Sequence, residues 1–262
     1  MEFAKGHGTG NDFVVVADVD GARPLTARQI AGLCDWRTGV GGDGLLRVVR
    51  ASKHPDGVDQ ADQAEWFMDY YNADGSLAEM CGNGVRVYAR YLLAHGLAEG
   101  PRIPVATRAG VRAVTVEDDQ LSVDMGPTLI GDAAEAVVDG VAYPGVRAST
   151  GNPHLVCRAD DLDALNLTVP PLVDPKLFGD GVNVEFIRGR APAIQMRVHE
   201  RGVGETASCG TGACAAAAVA LDGPGACAVD VPGGRLTVTV APETTTLTGP
   251  AVLVAEGRTS LA

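Results

Sequence analysis

A chain of 262 residues, 46% hydrophobic and 21% charged, has the make-up of a folded protein with a real core, long enough for two modest domains. Its net charge is −12 with the acids scattered along the chain, which argues against nucleic acid or an anionic membrane as a partner. No apolar run approaches the roughly 18–20 residues that span a bilayer, and the opening Met1-Glu2-Phe3-Ala4-Lys5-Gly6-His7 lacks the basic-then-apolar layout of a secretory signal.

The first half opens on a Gly-rich turn, His7 to Asp12, feeding a strand-length apolar run from Phe13 to Ala17. A helix is expected from Thr26 to Leu33 with Thr26 as its N-cap. A glycine-rich block, Gly39 to Gly44, then leads into a strand from Leu45 to Val49. Residues Ser52 to Gln63 carry Pro55 and Gly57 and read as a surface hairpin or loop, followed by a strand from Glu65 to Tyr71. A helix over Val85 to Ala94 closes near His95-Gly96, and Arg112 to Val116 pairs with Leu121 to Val123 around a turn. Asp124-Met125-Gly126-Pro127 marks the expected boundary between residues 1–124 and 125–250. Beyond it Thr150 to Val156 echoes Gly10 to Val14, a Pro-rich turn covers Pro170 to Pro175, and strands follow at Asn183 to Ile187 and Ile194 to His199. A second helix runs over Ala213 to Ala220, with strands at Arg235 to Val240, Thr244 to Leu247 and Ala251 to Ala255. Strands outnumber helices without regular alternation, so the expected class is α+β rather than a doubly wound parallel sheet.

One phrase occurs in both halves: Cys81-Gly82-Asn83-Gly84 and Cys209-Gly210-Thr211-Gly212. Each stands thirteen residues after the methionine of a strand-like run, Met68 and Met196, and immediately before a helix. The chain therefore contains one strand–loop–Cys-Gly-x-Gly–helix unit twice. A thiol at a helix N-terminus sits beside N–H groups that no helical carbonyl satisfies, and these donors with the helix dipole can lower its pKa. Glycines let a ligand approach the backbone, so the same N–H groups can dock a carboxylate. Two thiols at equivalent points of two related halves suit a proton leaving one face of a carbon while another arrives on the opposite face. The donors would stabilise the charge that develops on the carboxylate during that step.

Other features read more plainly. A free cysteine is ordinarily a small buried hydrophobe, and Cys34, Cys157, Cys214 and Cys227 are assigned to the core on that ground. The six cysteines are widely spaced, unlike a secreted disulfide framework, so a reducing cytoplasm is expected. Gly39-Val40-Gly41-Gly42-Asp43-Gly44 matches a dinucleotide fingerprint in letters only, since no apolar strand precedes it and a strand rather than a helix follows. The five histidines lack metal-ligand spacing and the three lysines lack a pyridoxal-phosphate setting, so neither metal nor cofactor is expected. Asn11, Asn72, Asn152 and Asn183 stand at turns or strand edges in matching parts of the halves and read as substrate binders rather than turn formers alone. Glu200-Arg201 offers a carboxylate for an ammonium group and a guanidinium for a second carboxylate, or else a surface ion pair.

Six blocks together resemble the diaminopimelate epimerase family: His7 to Phe13, Asn72 to Ser76, Cys81 to Arg86, Gly151 to His154, Glu200 to Thr206, and Cys209 to Gly212. The resemblance implies interconversion of LL- and meso-diaminopimelate, in lysine and peptidoglycan precursor biosynthesis, by two cysteines without pyridoxal phosphate. It implies two pseudo-symmetric domains, each a mixed β-sheet or barrel wrapped around a central helix, with the site in the cleft between them and segment 251–262 returning to the first. Carried over residue by residue, Cys209 accepts and Cys81 donates the proton in the LL-to-meso direction. Gly82, Asn83, Gly210 and Thr211 hold the reacting carboxylate through the backbone, and Asn11, Asn72, Asn152, Asn183, Glu200 and Arg201 bind the remaining groups. His154 and Glu200 tune protonation, and a homodimer is implied. Where many members carry Gln, this chain has Gly44, so no side chain there can touch substrate. A proline racemase-like enzyme, a thiol redox protein and a non-catalytic amino-acid-binding protein are the rival readings.

Overall fold

The computed structural model describes residues 1–261, which form an α+β structure of two compact units. The first comprises Met1–Val123 together with the chain from Pro250 on, and the second Asp124–Gly249. The first unit contains β1 (Glu2–Gly8), β2 (Asn11–Ala17), α1 (Ala27–Cys34), β3 (Gly44–Arg50), β4 (Trp66–Asn72), α2 (Gly82–Ala94), β5 (Arg102–Ala106), β6 (Arg112–Glu117) and β7 (Gln120–Asp124). The second contains β8 (Leu129–Val138), β9 (Val141–Ser149), β10 (Pro153–Arg158), β11 (Leu172–Val173), β12 (Asn183–Arg190), β13 (Ala193–Glu200), β14 (Gly204–Thr206), α3 (Gly210–Leu221), β15 (Gly225–Val231), β16 (Gly234–Val240) and β17 (Thr245–Pro250). The last strand, β18 (Val252–Arg258), pairs antiparallel with β1 in the first unit.

Pairing within each unit follows the same plan. In the first, the order is β18-β1-β2-β3-β4-β5-β6-β7, parallel at β2–β3 and β4–β5 and antiparallel elsewhere. In the second, it is β8-β9-β10-β12-β13-β15-β16-β17, parallel at β10–β12 and β13–β15. Each unit wraps its strands around one helix: α2 packs against β1, β2, β3, β5, β6 and β18, and α3 against β8, β9, β10, β12, β13, β15 and β16. A helix enclosed on all sides cannot be amphipathic. In α3 the answer is composition, because Gly212 and Ala213 to Ala218 are buried around the whole circumference. In α2 it is size matching, with Tyr88, Leu92 and even Arg86 fully buried.

The local signals explain most element ends. α1 starts in a capping box, Thr26 accepting from the Gln29 N–H while the Gln29 side chain accepts from the Thr26 N–H. The first turn is shorter than its composition suggests: β1 runs through His7 and Gly8, leaving only Thr9 and Gly10, both at positive φ, between β1 and β2. Ser52 to Gln63 forms two short 3-10 turns, and His54 is buried with its ring stacked on Phe67 at 4.3 Å. The hairpin β8–β9 has no strand signature, since β8 is mostly exposed and Pro144 and Gly145 interrupt β9. Gly145 is there because β9 lies close on β10: a Cβ would meet the Val156 carbonyl at 2.6 Å and Cys157 Sγ at 2.7 Å.

A buried ion network ties β3 to β4. Arg47 and Asp69 are cross-strand neighbours, with Arg47 Nη1 2.8 Å from Asp69 Oδ2 and Nη2 2.6 Å from Asp18 Oδ2. Arg108 Nη2 lies 2.5 Å from the other Asp69 oxygen, and the Tyr71 hydroxyl donates to Asp69 at 2.9 Å. Asp69 is fully buried between two guanidinium groups, so removing it leaves both positive charges without their shared counter-ion. Asp69→Ala is expected to lower the unfolding free energy by about 3–5 kcal/mol, read from urea denaturation, whereas truncating the exposed pair Arg258–Glu2 should change it by less than about 1 kcal/mol.

Candidate active site

In the first unit the geometry converges on Cys81. Its extended backbone (φ −143°, ψ 123°) places it as the N-cap of α2, and its sulfur accepts from the Gly84 N–H at 3.4 Å. Asn11, at the start of β2, has its Oδ1 3.7 Å from Cys81 Sγ and accepts from Asn83 Nδ2 at 3.3 Å. The other end of Asn11 donates to Asp43 at 2.8 Å, and the same Asp43 oxygen accepts from the Asp12 N–H. Arg86 donates to Asn83 Oδ1 at 3.0 Å and to the Gly82 carbonyl at 3.2 Å, fixing the first turn of α2 from beneath. Gly82 and Asn83 therefore contribute first-turn N–H groups, which no helical carbonyl can satisfy. Asn72 ends β4, but its amide donates to Ser76 Oγ at 3.0 Å within its own turn rather than to Asn11 or Cys81.

Gly44 sits in β3 opposite Asn72. A Cβ there would lie 2.6 Å from the Tyr71 carbonyl and 2.8 Å from the Tyr70 ring, so this chain has no room for any side chain at that point. The Gly39–Gly44 block leads into β3 and not into a helix, and its charged member, Asp43, is the anchor for Asn11.

The second unit builds a more polar surround. Cys209 is the buried N-cap residue of α3 (φ −117°, ψ 115°), with its sulfur 3.4 Å from Thr211 Oγ1. Asn152 Nδ2 donates to Thr211 Oγ1 at 3.4 Å, and Asn152 Oδ1 lies 2.9 Å from His154 Nε2. Thr150 donates to Asn152 Oδ1 at 3.0 Å, and its hydroxyl is 3.1 Å from His154 Nε2. The far ring nitrogen, Nδ1, is 2.7 Å from Oε1 of Glu185, which is fully buried on β12. Glu200, the last residue of β13, accepts from the Thr206 hydroxyl on β14 and from the Cys209 thiol. Asn183 opens β12, donating to the Pro153 carbonyl at 3.0 Å and accepting from the Arg201 N–H at 2.9 Å. Arg201's guanidinium is exposed and donates to the Asp180 carbonyl at 3.4 Å, and it forms no ion pair among the described residues. Gly210 and Thr211 provide the first-turn N–H groups of α3.

The electrostatics correct one expectation. For Cys209 the helix N-terminus does not win: burial pushes the thiol well above its ordinary range, and the Glu200 and Glu185 carboxylates push the same way against the Thr211 hydrogen bond. Glu200 and Glu185 are themselves raised by burial, with Thr206 and then Cys209 pulling back on the first and His154 on the second. Cys34, Cys157, Cys214 and Cys227 lie in the cores, where burial raises Cys34 and Cys157 to about 12.

Thus Cys81 gathers Asn11, Asn83 and Gly82 around it, and Cys209 gathers Glu200, Thr211 and, through Thr211, Asn152 and His154. Residue reasoning missed Asp43, Thr150, Thr206 and Glu185. Glu185 carried a usable signal, because an acid inside Val184-Glu185-Phe186-Ile187 faces burial and needs a partner.

The family model for diaminopimelate epimerase matches residues 3–130 and 146–254. The chain belongs to the diaminopimelate epimerase family. It is 50% identical to the diaminopimelate epimerase of Mycolicibacterium smegmatis over 98% of this chain and 96% of that one. It is also 50% identical to the Thermobifida fusca enzyme of the same name, over 98% and 97%. Among solved structures, a phenazine biosynthesis protein of the PhzF family from Bacillus anthracis superposes with TM-score 0.71 at 18% identity, covering 98% of each chain. A hydroxyproline epimerase from Agrobacterium vitis gives 0.68 at 15%, covering 98% of this chain and 91% of that one. These two share the fold of the diaminopimelate epimerase family.

The thiol environments of this family member make a direct expectation. Cys81 is half-buried and the other five cysteines are buried, so brief iodoacetamide treatment of the native protein should alkylate Cys81 first, read by peptide mass spectrometry. Alkylation of Cys209 should begin only above the ordinary thiol pH range. Glu200→Gln removes a negative charge beside that sulfur and should move the onset to lower pH.

Proposed function

We propose that this chain interconverts LL- and meso-diaminopimelate in lysine and peptidoglycan precursor biosynthesis, using Cys209 and Cys81 as a base and an acid. The observation that carries the reading is the pair of cysteine N-caps, each at the head of the helix enclosed by its own unit, in a chain of the diaminopimelate epimerase family. In the LL-to-meso direction the Cys209 thiolate takes the α-proton, and the electron pair left on carbon spreads into the α-carboxylate. Cys81 delivers its thiol proton to the opposite face, ending as the thiolate. The roles reverse for meso-to-LL, and exchange with solvent restores the starting protonation.

The N–H groups of Gly82, Asn83, Gly210 and Thr211 hold the carboxylate and take up its growing charge, as helix N-termini do for anions. The substrate ammonium is drawn to Glu200; its positive charge offsets the carboxylate that raises Cys209 and so brings the thiolate within reach. Asn11, Asn72, Asn152 and Asn183 contribute amides, His154 with Glu200 tunes protonation, and Arg201 takes the distal carboxylate with its exposed guanidinium. Gly44 leaves one substrate contact to water or backbone. This chemistry calls on no cofactor, because the thiols supply both proton-transfer groups. We place the protein in the cytoplasm as a homodimer; six free cysteines support the compartment, and light scattering on the eluting protein tests the dimer.

Incubating reduced protein with LL-diaminopimelate in D₂O should erase the α-proton NMR signal as the meso isomer appears. Cys81→Ala and Cys209→Ala should each lower epimerisation by about 10³-fold or more, since one remaining thiol serves one face only. Substantial activity in either variant would refute the two-thiol account, and exchange with proline instead would move the protein to another racemase class.

A further inference from the structure

The two units differ at one pair of positions beneath their cysteine helices. Counting back from the paired residues Met68↔Val48 and Met196↔Ile187, Leu46 in β3 and Glu185 in β12 hold equivalent places. Leu46 is the parallel neighbour of Val15 and Glu185 of Val156, which makes Phe13 and His154 equivalent in turn. In the first unit the pair is apolar and packs under Gly84, where a Cβ would stand 3.3 Å from the Phe13 ring and 3.4 Å from Leu46 Cδ2. In the second it is the ion-pairing couple His154–Glu185, and a Cβ at Gly212 would meet Glu185 Oε1 at 2.6 Å.

Packing therefore does not require charge here, because Phe13 and Leu46 accomplish it without any. The charge also has a cost: Glu185 is fully buried, and its Oε2 has no hydrogen-bond partner among the described residues. A buried acid kept where a leucine fits calls for a role beyond packing. The hydrogen-bonded line Glu185–His154–Asn152–Thr211–Cys209 supplies one.

We propose that Glu185 is a positioning residue: by accepting from Nδ1–H of His154, while Asn152 Oδ1 accepts from Nε2–H, it holds the ring as a double donor, and through Asn152 and Thr211 it keeps the Cys209 thiol in its reactive orientation. A carboxylate behind an imidazole fixes the ring's orientation and its Nδ1 proton, and losing such a partner typically costs 10–100-fold in function. The effect on turnover rests on the epimerase reading; the effect on His154 does not.

Glu185→Leu copies half of the first unit's solution, Leu46 without Phe13, and tests the assignment. Its urea midpoint should fall, because His154 is left buried without the acceptor of its Nδ1–H. Its kcat should fall about tenfold or more in both directions with KM within about twofold. A purely structural role predicts the same lower midpoint with kcat unchanged, and a kcat within twofold of the parent would overturn the proposal. Nitrogen-15 NMR of histidine-labelled, substrate-free parent protein, assigned with His154→Gln, should show protons on both ring nitrogens of His154. In Glu185→Leu the Nδ1 proton should be lost while Nε2 keeps its own. An unprotonated Nδ1 in the parent refutes the proposal even if the variant fails to fold. Failure of the parent to turn over diaminopimelate would instead refute the function, leaving the NMR result to decide the role of Glu185.

Discussion

Everything about this molecule turns on burying a helix N-terminus. A helix leaves its first N–H groups unpaired, and a protein that encloses such a helix in strands must find partners for them or leave them for a ligand. Both units of this chain enclose one helix and put a cysteine at its head. The constraint propagates outward from there. Gly84 and Gly212 are needed because side chains from neighbouring strands press on the first turn, and small residues fill α3 because strands pack against it on every side. The same crowding buries the sulfur of Cys209, and that burial, with the Glu200 and Glu185 carboxylates, pushes its thiol well above the ordinary range.

That ordering of effects separates the two thiols. Cys81 is half-buried, its sulfur takes the Gly84 N–H, and its near neighbours are amides. Cys209 is buried beside the Glu200 carboxylate, and the Glu185 carboxylate adds to the same upward push on its thiol. Equivalent positions in one repeated architecture thus carry unequal surroundings. The first unit spends its buried charge elsewhere, in the Arg47–Asp69–Arg108 network that ties β3 to β4.

Much of this was legible in the amino-acid order because it is local. Thr26 with Gln29 writes its own helix start, and the two Cys-Gly-x-Gly phrases write the two others together with their place after a strand. What stayed hidden depends on partners distant in the chain. The hairpin β8–β9 has almost no apolar alternation and exists because β10 pairs with its inner edge, so Gly145 reads as a breaker when it marks a close approach. Asp43 looked like part of a glycine-rich loop and is the anchor of Asn11 thirty-two residues away. Glu185 was visible as an acid in an apolar strand, but its partner His154 could be named only once β10 and β12 were seen to be parallel neighbours.

Comparing the two units shows which polar groups the fold does not need. Positions filled by Phe13 and Leu46 in one and by His154 and Glu185 in the other face the same packing problem, a glycine in the first turn of an enclosed helix. Hydrocarbon solves it without desolvating a charge, so the ionic solution has to be explained by what it does to the thiol above it. The same comparison applied to Gly44 gives the reverse lesson. Its counterpart on the second side, at the start of β12, is Asn183, whose amide bridges the Pro153 carbonyl and the Arg201 N–H. In the first unit the ring of Tyr70 and the carbonyl of Tyr71 close that space. One half of the repeat therefore carries polar groups where the other carries hydrocarbon or glycine, and the two cysteines stand in different surroundings within a shared frame.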